Sequence, residues 1–180
     1  MSGFRRYLHW RRLWASRRGV ASIEFAFVVP LMLLVFLGSI ELGDALLLDR
    51  KISRSAHIGG DLVAQVSAIT DPELNDVFSA MEQIIAPFPN NTRMVISSVV
   101  TDPGSTAPQL EWSVARGGGA AASASDTGIP TDLLVEDQSV IAVQIEYSFS
   151  PKYSDLIMTP FTITDQVYLR PRRSKRVQKL

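Results

Sequence analysis

The chain has 180 residues with 18 basic and 18 acidic side chains, so its formal net charge is zero, and it contains no cysteine. That length suits one modest folded domain beside a membrane segment, and the lack of cysteine excludes a disulfide framework, a thiolate metal site and a cysteine nucleophile. Charge is unevenly placed: six arginines and no acid in residues 1–19, six bases and no acid in residues 170–180, and −12 across residues 20–169, an acidic body that does not suggest nucleic-acid binding.

Residues 1–19 form a basic leader in which Arg5, Arg6, Arg11, Arg12, Arg17 and Arg18 stand among Tyr7, Trp10 and Trp14. Arginine-rich flanks stay in the cytoplasm. The expected topology is therefore leader inside and the large remainder outside, with Arg11, Arg12, Arg17 and Arg18 as the retaining charges. The run from Phe25 to Ile40 is uncharged. Taken with Val20–Ile23 and Leu42-Gly43, it makes a helix of roughly 36 Å, enough to cross a hydrocarbon core of about 30 Å. The expected transmembrane helix is residues 20–43, with Glu24 and Glu41 near the two membrane faces. Pro30 lies inside it and should bend it. Ser39 and Gly43 make a small-xxx-small pair that could admit a neighbouring helix. A cleavable secretory signal is the competing reading. The apolar run is too long for one, and no small-x-small site followed by a polar start ends it.

Glu24 carries the most information. A charged side chain at mid-bilayer costs about 2.5 to 3.5 kcal/mol, and even near one end it seeks a partner. A cut after Gly19 would supply one, the new α-amino group of Val20. Four residues along a helix put that amine and Glu24 on one face, so Glu24 could pair with its own amine or with a neighbour's. Arginines, Gly19, four residues, then Glu24-Phe25 and a long apolar run resemble the prepilin cleavage site of type IVb pilins and pseudopilins. The resemblance implies cutting between Gly19 and Val20 by a dedicated membrane peptidase at the cytoplasmic face. It also implies that Glu24 and Phe25 set subunit register. An ordinary uncleaved signal anchor with a stray acid is the plainer alternative.

The helix is expected to leave the membrane and continue from Glu41 to Ile69. Leu42, Ala45, Leu46, Leu48, Ile52, Ala56, Leu62, Val63 and Val66 recur at near-helical spacing, with Gly59-Gly60 as a weak point. His57 has no second histidine beside it in the exterior part, which makes it a surface or packing residue rather than a metal ligand. Thr70-Asp71-Pro72-Glu73 predicts a second helix capped by Asp71, with Pro72 in its first turn. Leu74, Val77, Phe78, Met81, Ile84 and Ile85 form its apolar stripe, and Pro87-Phe88-Pro89 ends it.

The rest reads as β-structure. Strands are predicted over Arg93–Thr101, Gln109–Arg116, Gln138–Ser150 and Phe161–Leu169 from their branched and alternating residues. Asp102-Pro103-Gly104 is a turn, Gly117–Gly128 a flexible loop, and Thr131–Leu134 a short helical turn. Four strands after two helices predict an α+β fold with an antiparallel sheet. Residues 44–169 would form this exterior domain, followed by a basic tail over residues 170–180. That tail reads either as a disordered terminus or as a segment that docks on the acidic body of a neighbouring subunit.

Arg116 with its glycine triplet, Asp137-Gln138-Ser139-Val140, and above all Leu169-Arg170-Pro171-Arg172-Arg173-Ser174 widen the resemblance. Together with the leader and span they are similar to TadE-like minor pseudopilins of the tight-adherence (Tad) pilus system. The resemblance implies a pilin-like domain and insertion in the bacterial inner membrane by a single pass, leader cytoplasmic and domain periplasmic. It implies a role in assembling a thin adhesive pilus. The implied partners are the membrane, the prepilin peptidase, other pseudopilins, the major pilin and the Tad inner-membrane platform. The residues leave open whether the chain enters the fibre. An uncleaved single-span anchor presenting a periplasmic binding domain is the alternative.

No catalytic constellation is expected. No serine–histidine–acid set is present, Gly117-Gly118-Gly119 leads into small residues as a linker rather than a phosphate loop, and Asp132, Glu136 and Asp137 read as a solvated loop. The chain is expected not to be an enzyme and to take no cofactor, metal, small-molecule substrate or nucleic acid.

Overall fold

The structure is a computed structural model and describes residues 18–102, 104, 107–121, 123–153 and 159–180. One helix, α1 (Arg18–Ala64), runs unbroken through Pro30. Its 47 residues give a rod of about 70 Å. The half before Glu41 stands clear of the rest of the chain. The half after it buries Ala45, Leu48, Ile52, Ala56 and Val63 in the core. These lie three, four or seven residues apart, the spacing that puts side chains on one helix face. Leu42, Leu46 and Leu62 were expected on that face, but they point outward.

α1 stops at Ala64, five residues before the expected end, because Ala68–Ile69 leave the helix to form a short strand, β1. The second helix, α2, spans Asp71–Ile85 with Pro72 in its first turn. Its cap is Thr70, not Asp71. The Glu73 carboxylate accepts the Thr70 backbone N–H and the Thr70 hydroxyl, both at 2.8 Å, and these two bonds hold the Glu73 carboxyl below its usual value. α2 buries Leu74, Val77, Phe78, Met81 and Ile85, the expected stripe except for a half-buried Ile84. The Lys51 ammonium of α1 donates to the carbonyls of Ile84 (3.0 Å) and Ala86 at the far end of α2. A cation there suits the partial negative charge of a helix C-terminus.

Four strands, β2 (Thr92–Thr101), β3 (Pro108–Arg116), β4 (Ser139–Phe149) and β5 (Phe161–Leu169), pair antiparallel in the order β3-β2-β4-β5. The fold class is α+β, with both helices on one sheet face. Met94, Ile96, Trp112, Ile141, Val143, Ile145, Ile163 and Val167 meet the helices there. Since β4 lies beyond β2 from β3, the segment 117–138 has to cross the opposite face. It covers Val95, Val99, Val140 and Ala142, which are buried. This corrects the flexible-loop expectation for Gly117–Gly128. Ala124–Thr127 form a 3-10 turn, and the Tyr168 hydroxyl donates to the Gly128 carbonyl at 2.8 Å. Gly117 needs to be glycine: its φ is +79°, and a Cβ there would lie 2.2 Å from the Thr92 carbonyl oxygen. Thr131–Leu133 make the expected short turn, while Pro103 of the expected Asp102-Pro103-Gly104 turn lies outside the described residues.

Gly59-Gly60 is not a weak point. Both glycines are buried in an intact helix. A Cβ on Gly59 would come 2.3 Å from Met81 Sδ, and one on Gly60 2.3 Å from Leu169 Cδ1. The missing side chains are what let α1 approach α2 and β5.

Residues 170–180, expected as a disordered terminus or a docking segment, are ordered against the chain itself. They fold over the chain's own body. Arg172 N–H donates to Ala64 O and Ser139 N–H to Lys175 O, each at 2.8 Å. Gln178–Lys179 form β6, which pairs parallel with β1. Val177 is fully buried in the core, and its carbonyl accepts the Trp112 indole N–H at 2.7 Å. The packed body therefore extends past residue 169.

Candidate functional site

Three places carry the residues singled out from the sequence. The first is the start of α1. Gly19 and Val20 lie in its first turn, and Val20, Ile23, Phe25 and Phe27 all point away from the body. Nothing lies within 4 Å of a Cβ placed on Gly19, so the bond after it stands on an open helical surface. Glu24 is exposed, and makes no hydrogen bond or ion pair among the described residues. It lies about 6 Å along the axis from Val20, on the same side of the helix. Arg11, Arg12 and Arg17 lie outside the described residues, and Arg18 is the first residue of the helix.

The second is Glu41, where the free half of α1 meets the body. Its side chain is fully buried. Oε1 accepts the backbone N–H of Lys152 at 2.7 Å and of Tyr153 at 2.6 Å, while Oε2 has no hydrogen-bond partner among the described residues. One turn on, Asp44 pairs with the Lys152 ammonium at 3.2 Å. Glu41 thus fastens the β4–β5 connection to the helix. Sequence spacing placed Glu41 near a membrane face but did not show this bond, which joins residues more than a hundred positions apart.

The third is the 170–180 segment. Lys175 reaches Asp137 at 2.6 Å, Arg176 reaches Asp137 at 3.2 Å and Asp102 at 3.9 Å, Lys179 reaches Asp71 at 2.9 Å, and Arg172 pairs with Asp61. The Lys175 hydrogen bond and charge, with a smaller contribution from Arg176, hold the Asp137 carboxyl below its usual value. Of the residues in the Leu169–Ser174 motif, Leu169 packs on Gly60, Arg170 donates to the Leu133 carbonyl at 3.1 Å, Pro171 is half-buried and Arg173 exposed, and the Ser174 hydroxyl donates to the Arg176 carbonyl at 2.6 Å. Here the motif is an internal clamp. Of the three acids read as a solvated loop, Asp132 and Glu136 are exposed, while Asp137 is taken by two cations. His57 also faces outward.

A long apolar helix standing free of a small α+β body fits a single-pass membrane protein. Among the described residues α1 is the one helix long and apolar enough to cross a membrane. A family model described as TadE-like protein matches residues 19–60. The match starts at Gly19 and ends at Gly60, so it takes in the free helix and the half that packs on the sheet. It agrees with the resemblance carried by Gly19 and the span and points to the Tad pilus system. No curated protein and no solved structure matches the chain.

Proposed function

We propose that this chain is a minor pseudopilin that a prepilin peptidase cuts after Gly19, and that it takes part in assembling a Tad-type adhesive pilus. The observation that carries this is the TadE-like match over residues 19–60. In this reading Arg11, Arg12, Arg17 and Arg18 hold the leader in the cytoplasm while the inner membrane takes α1 and the body lies in the periplasm. Cutting frees the amine of Val20. Glu24 then pairs with that amine in its own chain or a neighbour's, and the pairing is strong because the medium has a low dielectric constant. Phe25 and the exposed apolar side chains beyond it pack against the helices of other pseudopilins and the major pilin on the inner-membrane platform.

Mass spectrometry of protein purified from membranes tests the cut. A mature chain beginning at Val20 is expected, and Gly19→Trp should leave the leader attached. Recovery of wild-type protein with residues 1–19 intact would instead favour an uncleaved anchor presenting a periplasmic domain. Glu24→Ala should insert normally yet lower piliation strongly in cells lacking the wild-type protein. Unchanged piliation would remove the pairing role of Glu24.

A further inference from the structure

The surface of α1 does not turn polar where the body begins. Glu41, Ala45 and Leu48 face the body and are buried. On the outer side Leu42, Leu46 and Leu47 are 52%, 55% and 49% exposed. The two acids in this interval are both occupied, Glu41 by two backbone N–H groups and Asp44 by Lys152. The first charges that point outward are Asp49 and Arg50. A soluble body would end its apolar collar at the junction. Here the collar continues unbroken from the free helix for about two turns, and a continuous apolar patch marks a contact surface.

Other elements reach the same level. The bonds from Lys152 and Tyr153 to Glu41 fix the end of β4 beside the junction. Tyr153 is 57% exposed there, and Phe161, whose ring lies 5.2 Å from that of Phe149 at a tilt of 45°, is 41% exposed. Tyrosine and lysine are residue types that settle at the boundary between lipid and water.

We propose that the base of the body, formed by Leu42, Leu46, Leu47, Lys152, Tyr153 and Phe161, is seated in the interfacial layer of the membrane that α1 crosses. This rests on α1 being a membrane span. Length supports it. If hydrocarbon starts at Phe25, about 30 Å of it ends roughly 20 residues later, near Asp44, and the headgroup layer of several Å beyond covers Leu46 and Leu47. Glu41 then lies at hydrocarbon depth. Its Oε1 faces two protein N–H groups and not lipid. The span accordingly ends later than Gly43 on the lipid side and earlier on the side facing the body.

The wild-type chain has no cysteine, so single-cysteine variants of the full chain in lipid vesicles can carry one spin label each. Phe36→Cys, Leu46→Cys, Tyr153→Cys and Leu62→Cys sample the free helix, the base and a site about 24 Å farther along α1 than Leu46. Leu47→Cys substitutes if Leu46→Cys is poorly recovered. Labels at positions 46 and 153 should be severalfold more accessible to oxygen, and severalfold less accessible to a water-soluble nickel chelate, than the label at 62. If 46 and 153 match 62 while 36 is in lipid, the seating is wrong and the span stands. If 36 is itself open to the chelate, the span reading fails. If 46 is closed to both probes and opens when protein is diluted in lipid, a second subunit covers the collar, and lipid is not the occupant.

Discussion

At the scale of single residues, two kinds of glycine occupy α1 and they should answer substitution differently. Gly43 has nothing within 4 Å of a Cβ, whereas Gly60 would put one 2.3 Å from Leu169 Cδ1 and 3.2 Å from Val143 Cγ2. Gly43→Ala should be neutral or stabilise the helix by up to about 1 kcal/mol. Gly60→Ala should destabilise by about 1 to 3 kcal/mol through overpacking. Because the nearest obstruction is the tip of Leu169, adding Leu169→Ala to Gly60→Ala should cost less than the two single changes added together. Denaturant midpoints of the four proteins check this. Asp137 makes a second prediction at this scale. Its carboxyl is held below the usual value first by Lys175 and then by Arg176. A depressed folded value means the stabilisation is present above the ordinary aspartate value of about 3.9 and is lost as pH falls through the folded one. Acidification below about pH 4 should therefore loosen residues 170–180, and Asp137→Asn should remove that step. The indole that reports it is Trp112, bonded to Val177 O, with Trp10 and Trp14 replaced by phenylalanine to isolate its fluorescence.

Among the elements, the 170–180 segment shows which force dominates. Its ion pairs lie at the surface with partly exposed side chains, and such pairs contribute about 0 to 1 kcal/mol each. Burying Val177 contributes roughly 1.5 to 3 kcal/mol, and the backbone bonds to Ala64, Ser67, Ile69 and Ser139 add about 1 kcal/mol apiece. Packing should therefore outlast charge. Roughly 1 M salt, which screens beyond about 3 Å, should leave the segment resistant to trypsin despite its six basic residues. Val177→Asp should expose it at low salt, and digestion time courses compare the two. The same segment shows where sequence reading stops. Its charge and its single β-branched residue look disordered locally, because the pocket for Val177 is assembled from residues far off in the chain. The four strands of the main sheet were legible to within a residue or so because branched and alternating patterns are local, whereas the two-residue strands β1 and β6 were not foreseen. The order of the four was not legible, since nothing in residues 117–138 announces a crossover. Gly19, Val20, Glu24 and Phe25 could be grouped from the sequence because fewer than two turns of one helix separate them. The binding of Glu41 by Lys152 and Tyr153 was not, because that pairing exists only after β4 has found α1.

For the molecule as a whole, the division of labour along α1 sets the test. Every core side chain lies between Ala45 and Val177, and the apolar residues from Val20 to Phe36 are exposed apart from a half-buried Val29. A fragment of residues 41–180 therefore keeps the whole core and should unfold in one cooperative transition with the midpoint of the full chain. A shift of many degrees, or failure to fold, would mean that the span supports the core after all. The same fragment keeps Leu42, Leu46 and Leu47 on its outer surface. Full burial of each would contribute about 1.5 to 3 kcal/mol, so a partial burial of all three with Tyr153 gives about 4 to 8 kcal/mol. That corresponds to millimolar to micromolar binding. The fragment should co-float with lipid vesicles although it has no span, and serine at positions 42, 46 and 47 should abolish flotation without moving the unfolding midpoint. Those three side chains are about half exposed and lie outside the buried core, so a coupled loss of stability would show that the collar belongs to the fold. Flotation lost at constant stability assigns it to the membrane surface.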